Sequence, residues 1–156
     1  MIHILIPGVG EKQISHVVFD YNGTIAQNGI LIPGVKEEIT EFSNKLCFHV
    51  ITADTFGFVK KELSGVNCSI TIIPEEDQAE SKLEFVRQLG PDQTLCAGNG
   101  ANDRLMLKEA AIGIAVLQDE GLAISSLLAS DLVVKNILDV FGFFRTPDRL
   151  KATLRK

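Results

Sequence analysis

Six short apolar runs rich in β-branched residues, each separated from the next by a stretch with helical spacing, set the limits on what this chain can fold into. The runs cover 15 to 20, 47 to 52, 68 to 73, 93 to 97, 112 to 116 and 131 to 134. Between and after them, helices are expected over 35 to 45, 56 to 63, 78 to 89, 102 to 109, 120 to 128 and 147 to 154. Strands that are apolar without alternation are buried on both faces, so the pattern predicts an α/β fold with a parallel sheet covered by helices on both sides. Residues 2 to 6 are expected as an extra strand that leads through a Pro7-Gly8 turn into the rest. A length of 156 residues predicts one domain, spanning 1 to 156, with a sizeable core.

Composition narrows the function classes. Hydrophobic residues make up 46% of the chain and charged residues 22%, which fits a globular protein rather than a disordered or membrane-spanning one. No apolar run approaches the roughly 20 residues that cross a bilayer. The opening "MIHILIPGVGEK" has no basic start, and Pro7 and Gly8 break its apolar run, so no signal peptide is expected and the expected location is cytoplasmic. A net charge of −5 argues against a nucleic-acid partner and leaves room for a small anionic substrate. Cys47, Cys68 and Cys96 lack the paired spacing of a zinc site or a disulfide framework and are expected as small core residues. His3, His16 and His49 fall at or near strand starts and are expected to be structural.

Four signals fall at or beyond the carboxyl ends of the expected strands: Asp20 after "VVF", Thr52 after "FHVI", Lys82 near the opening of "AESKLEFVRQL", and "GNGAND" (98 to 103) after "TLCA". In an open parallel sheet the ligand crevice lies beyond those ends, so the topology alone brings Asp20, Thr52 and "GNGAND" together, with Lys82 reaching in on its long stem. A carboxylate there can attack phosphorus while the free N–H groups of a glycine-containing loop hold the phosphoryl oxygens. Thr52 adds a hydroxyl, and Lys82 offsets charge on the transferring group. Asp103, with Asp20 and a backbone carbonyl, supplies hard oxygen ligands suited to Mg²⁺. Singly, each residue has a plain structural reading as turn former, strand residue, solvated helix residue or helix cap. Their order and placement make the case.

"DYNGT" at 20 to 24, "TAD" at 52 to 54, Lys82 and "GNGANDRLMLKEA" from 98 resemble the four ordered motifs of the haloacid dehalogenase (HAD) superfamily, particularly its P-type ATPase branch. The resemblance runs from about residue 15 to 135. It implies a three-layer, Rossmann-like hydrolase fold. Asp20 would be the nucleophile, and Thr52 and Lys82 would hold the phosphoryl group. Gly23, Thr24, Ala53 and Asn102 would contact the substrate, and Mg²⁺ would sit among Asp20, Asn22, Asn99 and Asp103. With no expected membrane helix and no room for a nucleotide-binding domain, the chain is similar to a soluble, phosphatase-like relative acting on a small phosphorylated substrate. The 32 positions from Asp20 to Thr52 hold a flap around "AQNGIL", one helix and one strand, and the 30 from Thr52 to Lys82 hold one helix and one strand. No cap domain is therefore expected, and because capless relatives borrow a neighbouring subunit as a lid, a homo-oligomer is.

Two positions depart from the family pattern. Asn22 stands where most of its phosphatases carry a general acid/base aspartate, and an amide cannot give or take a proton at neutral pH. Asn99 stands where the branch has the first aspartate of its last motif. With Asp20, Asp103 and Lys82 the formal charge of the site is −1 instead of the −3 of four acids and one lysine, which weakens Mg²⁺ and repels a phosphate dianion less. The leading reading is a slow Mg²⁺-dependent phosphohydrolase with Asp20, Asn22, Thr52 and Lys82 as its catalytic set. The alternatives are a noncatalytic phosphate-binding or regulatory module and a plain structural subunit. Asn22 and Asn99 each precede glycine, a context that suits turn geometry and also favours deamidation, which would create an acid at either position. Asp54 either completes the second motif or caps the following helix.

Overall fold

The computed structural model describes residues 1–54 and 57–156. Its centre is β3 (His16–Asp20), whose alternate side chains enter two different cores. Val17 and Phe19 pack in one cluster and Val18 in the other, the two-sided burial that makes the run continuously apolar. On one side β3 pairs in parallel with β6 (Cys47–Thr52), which pairs with β7 (Cys68–Ile72). On the other it pairs with β8 (Thr94–Gly98), followed by β9 (Ile112–Val116) and β10 (Leu132–Val134). The result is a six-stranded parallel sheet in the order β10-β9-β8-β3-β6-β7.

Helices cover both faces. On the face of Phe19 and Phe48, α1 (Val35–Phe42) and α6 (Leu138–Arg145) supply Phe42, Phe141 and Phe144 to a set of touching rings, with Phe19 and Phe141 centroids 5.6 Å apart. On the face of Val18 and Ile51, α3 (Gln78–Leu89) and α4 (Arg104–Glu109) bury Val86, Met106 and Leu107. Two short helices, α2 (Val59–Glu62) and α5 (Ile124–Ala129), lie in the crossovers. A flap follows β3, in which β4 (Ala26–Gln27) and β5 (Ile30–Leu31) pair antiparallel across Asn28 and Gly29. Both turn residues have positive φ, as a tight Asn-Gly hairpin requires. Only this flap and α1 separate β3 from β6, and only α2 lies between β6 and β7 among the described residues. There is no cap domain among them, and no helix among them is long and apolar enough to cross a membrane.

Several expectations are corrected. The expected strand at residues 2 to 6 is β1 (Ile2–Ile6), but it folds back on β2 (Gly10–Ile14), an antiparallel partner whose polar "GEKQ" buries only Ile14 and so carries no strand signal. Helix α6 was not expected, because Val140, Phe141 and Phe144 leave its apolar stripe broad and Gly142 interrupts it. It closes the aromatic core and is followed by α7 (Asp148–Leu154). The expected helix over 102 to 109 begins as a 3₁₀ turn, Ala101–Asp103, because Asp103 is drawn inward. The start expected for α2 at residue 56 lies outside the described residues. Cys96 is buried, whereas Cys47 is exposed at the strand start, so it is not a core residue.

Candidate active site

The carboxyl ends of β3, β6 and β8 open on a cavity of about 200 Å³. Asp20, Asn22, Thr52 and Ala53 line it from the β3 and β6 loops, and Gln78, Asn99, Gly100 and Asn102 line it from the opposite wall. Parallel connectivity puts three of these segments side by side, since each strand end is the start of a crossover.

Beneath the cavity floor lies a charged cluster. Lys82, the fifth residue of α3, is 1% exposed, and its Nζ donates to Asp20 Oδ1 and to Asp103 Oδ1, both at 2.6 Å. Asp103 is 0% exposed, and its Oδ2 accepts the main-chain N–H groups of Asn99 at 2.9 Å and Gly100 at 2.8 Å. Gly98 makes room for this carboxyl, because a Cβ on residue 98 would stand 2.5 Å from Asp103 Cγ. Burial opposes the charge on Lys82, but the two carboxylates outweigh it and hold the ammonium above its usual range. Burial, then the charge of Asp20, pushes the Asp103 carboxyl up to about 6 against the pull of Lys82. Both stay charged at neutral pH. Asp20, 8% exposed, carries the negative charge that faces the cavity.

The rim is built from amides. Asn22 Oδ1 accepts the N–H of Gly29 at 3.0 Å, and the Tyr21 hydroxyl donates to Gly29 O at 2.9 Å, so two adjacent residues of the β3 loop anchor the flap. Asn99 Nδ2 donates to Gly121 O at 3.0 Å, while Thr24 Oγ1 lies 3.2 Å from Asn99 Oδ1 and 3.4 Å from Asp20 Oδ2. The Thr24 hydroxyl thus has two acceptors within reach of its single proton. Thr52 Oγ1 accepts the Asp54 N–H at 2.9 Å and keeps its own proton for a ligand. Asp54 Oδ1 in turn accepts the Val59 N–H at 3.2 Å, which ties the β6 loop to the first residue of α2, although the N-cap position itself is Phe58.

The structure brings Asp20, Asn22, Thr52, Ala53, Asn99 and Asn102 to one cavity. Lys82 and Asp103 are joined to Asp20 but lie behind it. Gly23 and Thr24 differ from expectation: their N–H groups are not free for a phosphoryl group, because they close the β3 loop on Ala26 O at 2.7 Å and Tyr21 O at 3.2 Å. Gly23 instead gives close approach, with φ of 80° and a would-be Cβ 2.2 Å from Asn99 Nδ2. Gln78, which accepts from Asn102 Nδ2 at 2.5 Å, is a cavity residue the sequence did not flag. Its position at the start of α3, one turn before Lys82, was the available signal. His16 and His49, 3.1 Å apart between ring nitrogens, lie toward the amino-terminal side of the sheet, away from the cavity.

The oxygens of Asp20, Asn22 and Asn99 are hard donors that fit Mg²⁺, and no group of three or more His, Cys, Asp or Glu side chains suited to a metal occurs among the described residues. Asp103, expected as a fourth ligand, is corrected to a position behind the site, its two oxygens held by Lys82 and by two main-chain N–H groups.

No protein-family model matches the chain. An uncharacterized protein of Methanocaldococcus jannaschii is 45% identical over 74 residues, 47% of this chain and 80% of that protein. A soluble P-type ATPase-like phosphatase of the same organism is 29% identical over 122 residues, covering 75% of this chain but only 44% of the phosphatase. Among solved structures, 3-deoxy-D-manno-octulosonate 8-phosphate phosphatase from Moraxella catarrhalis, in complex with magnesium, phosphate and KDO, superposes with a TM-score of 0.66 at 16% identity, covering 92% of this chain and 95% of that one. Six parallel strands with no cap domain among the described residues, an aspartate at the end of the central strand tied to a buried lysine, and these likenesses agree: the chain has the fold of solved haloacid dehalogenase-superfamily hydrolases and is similar in sequence to a soluble P-type ATPase-like phosphatase.

Proposed function

We propose that the chain is a phosphohydrolase that passes a phosphoryl group through Asp20, acts slowly, and favours phosphate esters or anhydrides whose leaving group departs without a proton. One observation carries this reading. Asp20 faces the cavity with Oδ1 held by Lys82 at 2.6 Å, while the residue above it, Asn22, has its side-chain oxygen committed to the flap.

The steps follow from the chain's own groups. A carboxylate oxygen of Asp20 attacks phosphorus as the bond from phosphorus to the leaving oxygen breaks, and the electron pair leaves with that oxygen. The Thr52 hydroxyl and the Asn22 and Asn102 amides supply neutral donors to the phosphoryl oxygens, and buried Lys82 offsets the charge that gathers over Asp20. Solvent must protonate the leaving group, because Asn22 has no acidic proton to give. Water then attacks phosphorus, releases phosphate and restores the Asp20 carboxylate. Mg²⁺, which side-chain oxygens of Asp20 and Asn99 and the main-chain carbonyl of Asn22 would hold, would supply charge neutralisation when bound.

A noncatalytic phosphate-binding or regulatory role is favoured by a different observation: one carboxylate, Asp20, faces the cavity, and its neighbours there are neutral. Turnover of p-nitrophenyl phosphate and acetyl phosphate, with and without Mg²⁺, separates the readings in wild type, Asp20→Asn and Asn22→Asp. General acid-base help is worth about 10² to 10⁴ in rate, so Asn22→Asp should gain on that scale with the poorer leaving group. Wild-type turnover that persists in Asp20→Asn refutes the mechanism, and phosphate binding without turnover in all three favours the module. The reading carries with it a single domain over residues 1 to 156, a cytoplasmic setting and a homo-oligomer in which a neighbouring copy covers the open cavity. A monomer by light scattering at micromolar concentration would count against the last.

A further inference from the structure

We infer that Gln118 is the positioning residue that holds the Asp20 loop in its reactive shape, an inference that rests on the phosphohydrolase reading of the site. Gln118 lies two residues beyond the end of β9, and β9 is not a neighbour of β3: β8 stands between them. Its side chain nonetheless crosses the end of β8 to the loop that follows Asp20. Gln118 Nε2 donates to Thr24 O at 2.9 Å and lies 3.2 Å from Gly23 O, and Gln118 Oε1 accepts the Ile137 N–H at 2.8 Å. One carboxamide thus ties together the loops after β3, β9 and β10. The bonding requires a donor at one atom and an acceptor at the other, and the partners settle which atom is which, since carbonyls cannot donate and an N–H cannot accept.

One of the two carbonyls it restrains, Gly23 O, belongs to a peptide that is free to turn. Gly23 has φ of 80° and no Cβ, so its peptide can rotate where another residue's would be blocked. Were the Gly23–Thr24 peptide to flip, it would disturb the Thr24 hydroxyl that lies against Asp20 and Asn99, and could aim a carbonyl at the phosphoryl group. Within the loop, three N–H groups share one acceptor, Tyr21 O, which takes those of Thr24, Ile25 and Ala26 at 3.2, 3.0 and 2.9 Å, and the Gly23 N–H bonds Ala26 O at 2.7 Å. Gln118 supplies the restraint from the other side. Its neighbours extend the same strap: Asp119 accepts from Gln27 Nε2 at 3.1 Å and Glu120 from the Asn28 N–H at 2.8 Å, both on the flap.

The test compares wild type with Gln118→Glu, which keeps the acceptor for Ile137 but sets a carboxylate against two carbonyls, and with Gln118→Met, which keeps the length and removes all three bonds. Hydrogen exchange at the amides of Thr24, Ile25 and Ala26 is read together with steady-state kinetics on p-nitrophenyl phosphate. The expected result is exchange at those amides faster by about tenfold or more, with exchange in β3 and β8 unchanged. kcat should fall by about 10 to 100-fold with KM moved by less than about threefold, as a misplacement of the order of 1 Å produces. Exchange at residues 24 to 26 that matches wild type in both variants overturns the inference, whatever the rates. So does a kcat equal to wild type, or a rise in exchange spread over the whole sheet, which would mark plain destabilisation. Wild type that turns over no substrate overturns the phosphohydrolase reading instead, and the exchange comparison then still decides whether Gln118 holds the loop.

Discussion

Replacing Lys82 by Met is the sharpest perturbation of this site, because it leaves the shape of the side chain nearly intact and removes the cation shared by two buried carboxylates. The Nζ of Lys82 makes two charge-assisted bonds, each of 2.6 Å, to groups that are 8% and 0% exposed. Such bonds contribute about 1.5 to 3 kcal/mol apiece, and removing one member of a buried ion cluster costs about 3 to 5 kcal/mol because it strands the remaining charge. Taking about 4 kcal/mol, and about 3 °C per kcal/mol for a chain of this size, Lys82→Met should melt about 12 °C below wild type. The pH dependence gives a second check. In the variant, burial and Asp20 still push the Asp103 carboxyl up, and the lysine no longer pulls it down. Between the unfolded and the raised folded value the folded state holds more protons than the unfolded one, so stability falls as pH rises through that window. The deficit should therefore be smaller near pH 5 than near pH 8, read as Tm by differential scanning fluorimetry in EDTA. Adding Asp103→Asn to Lys82→Met should recover part of the loss, since it removes one of the two stranded charges. A single variant that melts within about 3 °C of wild type, or whose deficit does not depend on pH, would refute the claim that Lys82 is the counter-ion of both carboxylates.

Other consequences can be tested with simpler measurements. Gly23→Ala forces a methyl group to within 2.2 Å of Asn99 Nδ2 at a φ of 80°, which should cost about 1 to 3 kcal/mol by urea unfolding. Asn99→Asp loses the donor to Gly121 O and sets a carboxylate against it. It should lower Tm in EDTA by more than in Mg²⁺, because the added carboxylate strengthens the cation site, and an equal loss in both would count against Asn99 as a ligand. Burial, then the neighbouring His16, pushes His49 down to about 4 from 6.5. The unfolded state therefore protonates first, and stability should decline as pH drops from about 6.5 to about 4, by no more than about 1 kcal/mol for a half-exposed ring, with His49→Gln flattening the slope. Asn22 and Asn99 should deamidate slowly in the folded protein despite their glycine neighbours. The attacking N–H groups of Gly23 and Gly100 are bonded to Ala26 O and Asp103 Oδ2, so intact mass should not change on storage until the protein is unfolded.

The chain alone determined where chemistry would gather. Continuous apolar runs alternating with helical segments permit a parallel sheet and little else, and parallel crossovers oblige Asp20, Thr52 and "GNGAND" to leave the sheet at the same edge. That inference needs only periodicity and order, which are local properties. It missed β2 and α6, where local signals mislead: "GEKQI" is polar because it faces water, and "LDVFGFFR" is apolar over much of its girth because it packs beneath the sheet and α1. The tertiary structure alone decided the partners. Lys82 was expected to reach into the cavity, yet it meets carboxylates 62 and 21 residues away and is sealed behind them. Asp103 was expected on the metal and instead anchors the loop above it, while Gln118 finds its carbonyls 94 and 95 residues back along the chain. Spacing cannot report such choices, because a hydrogen bond depends on distances of a few ångströms between groups that only the packed sheet brings together.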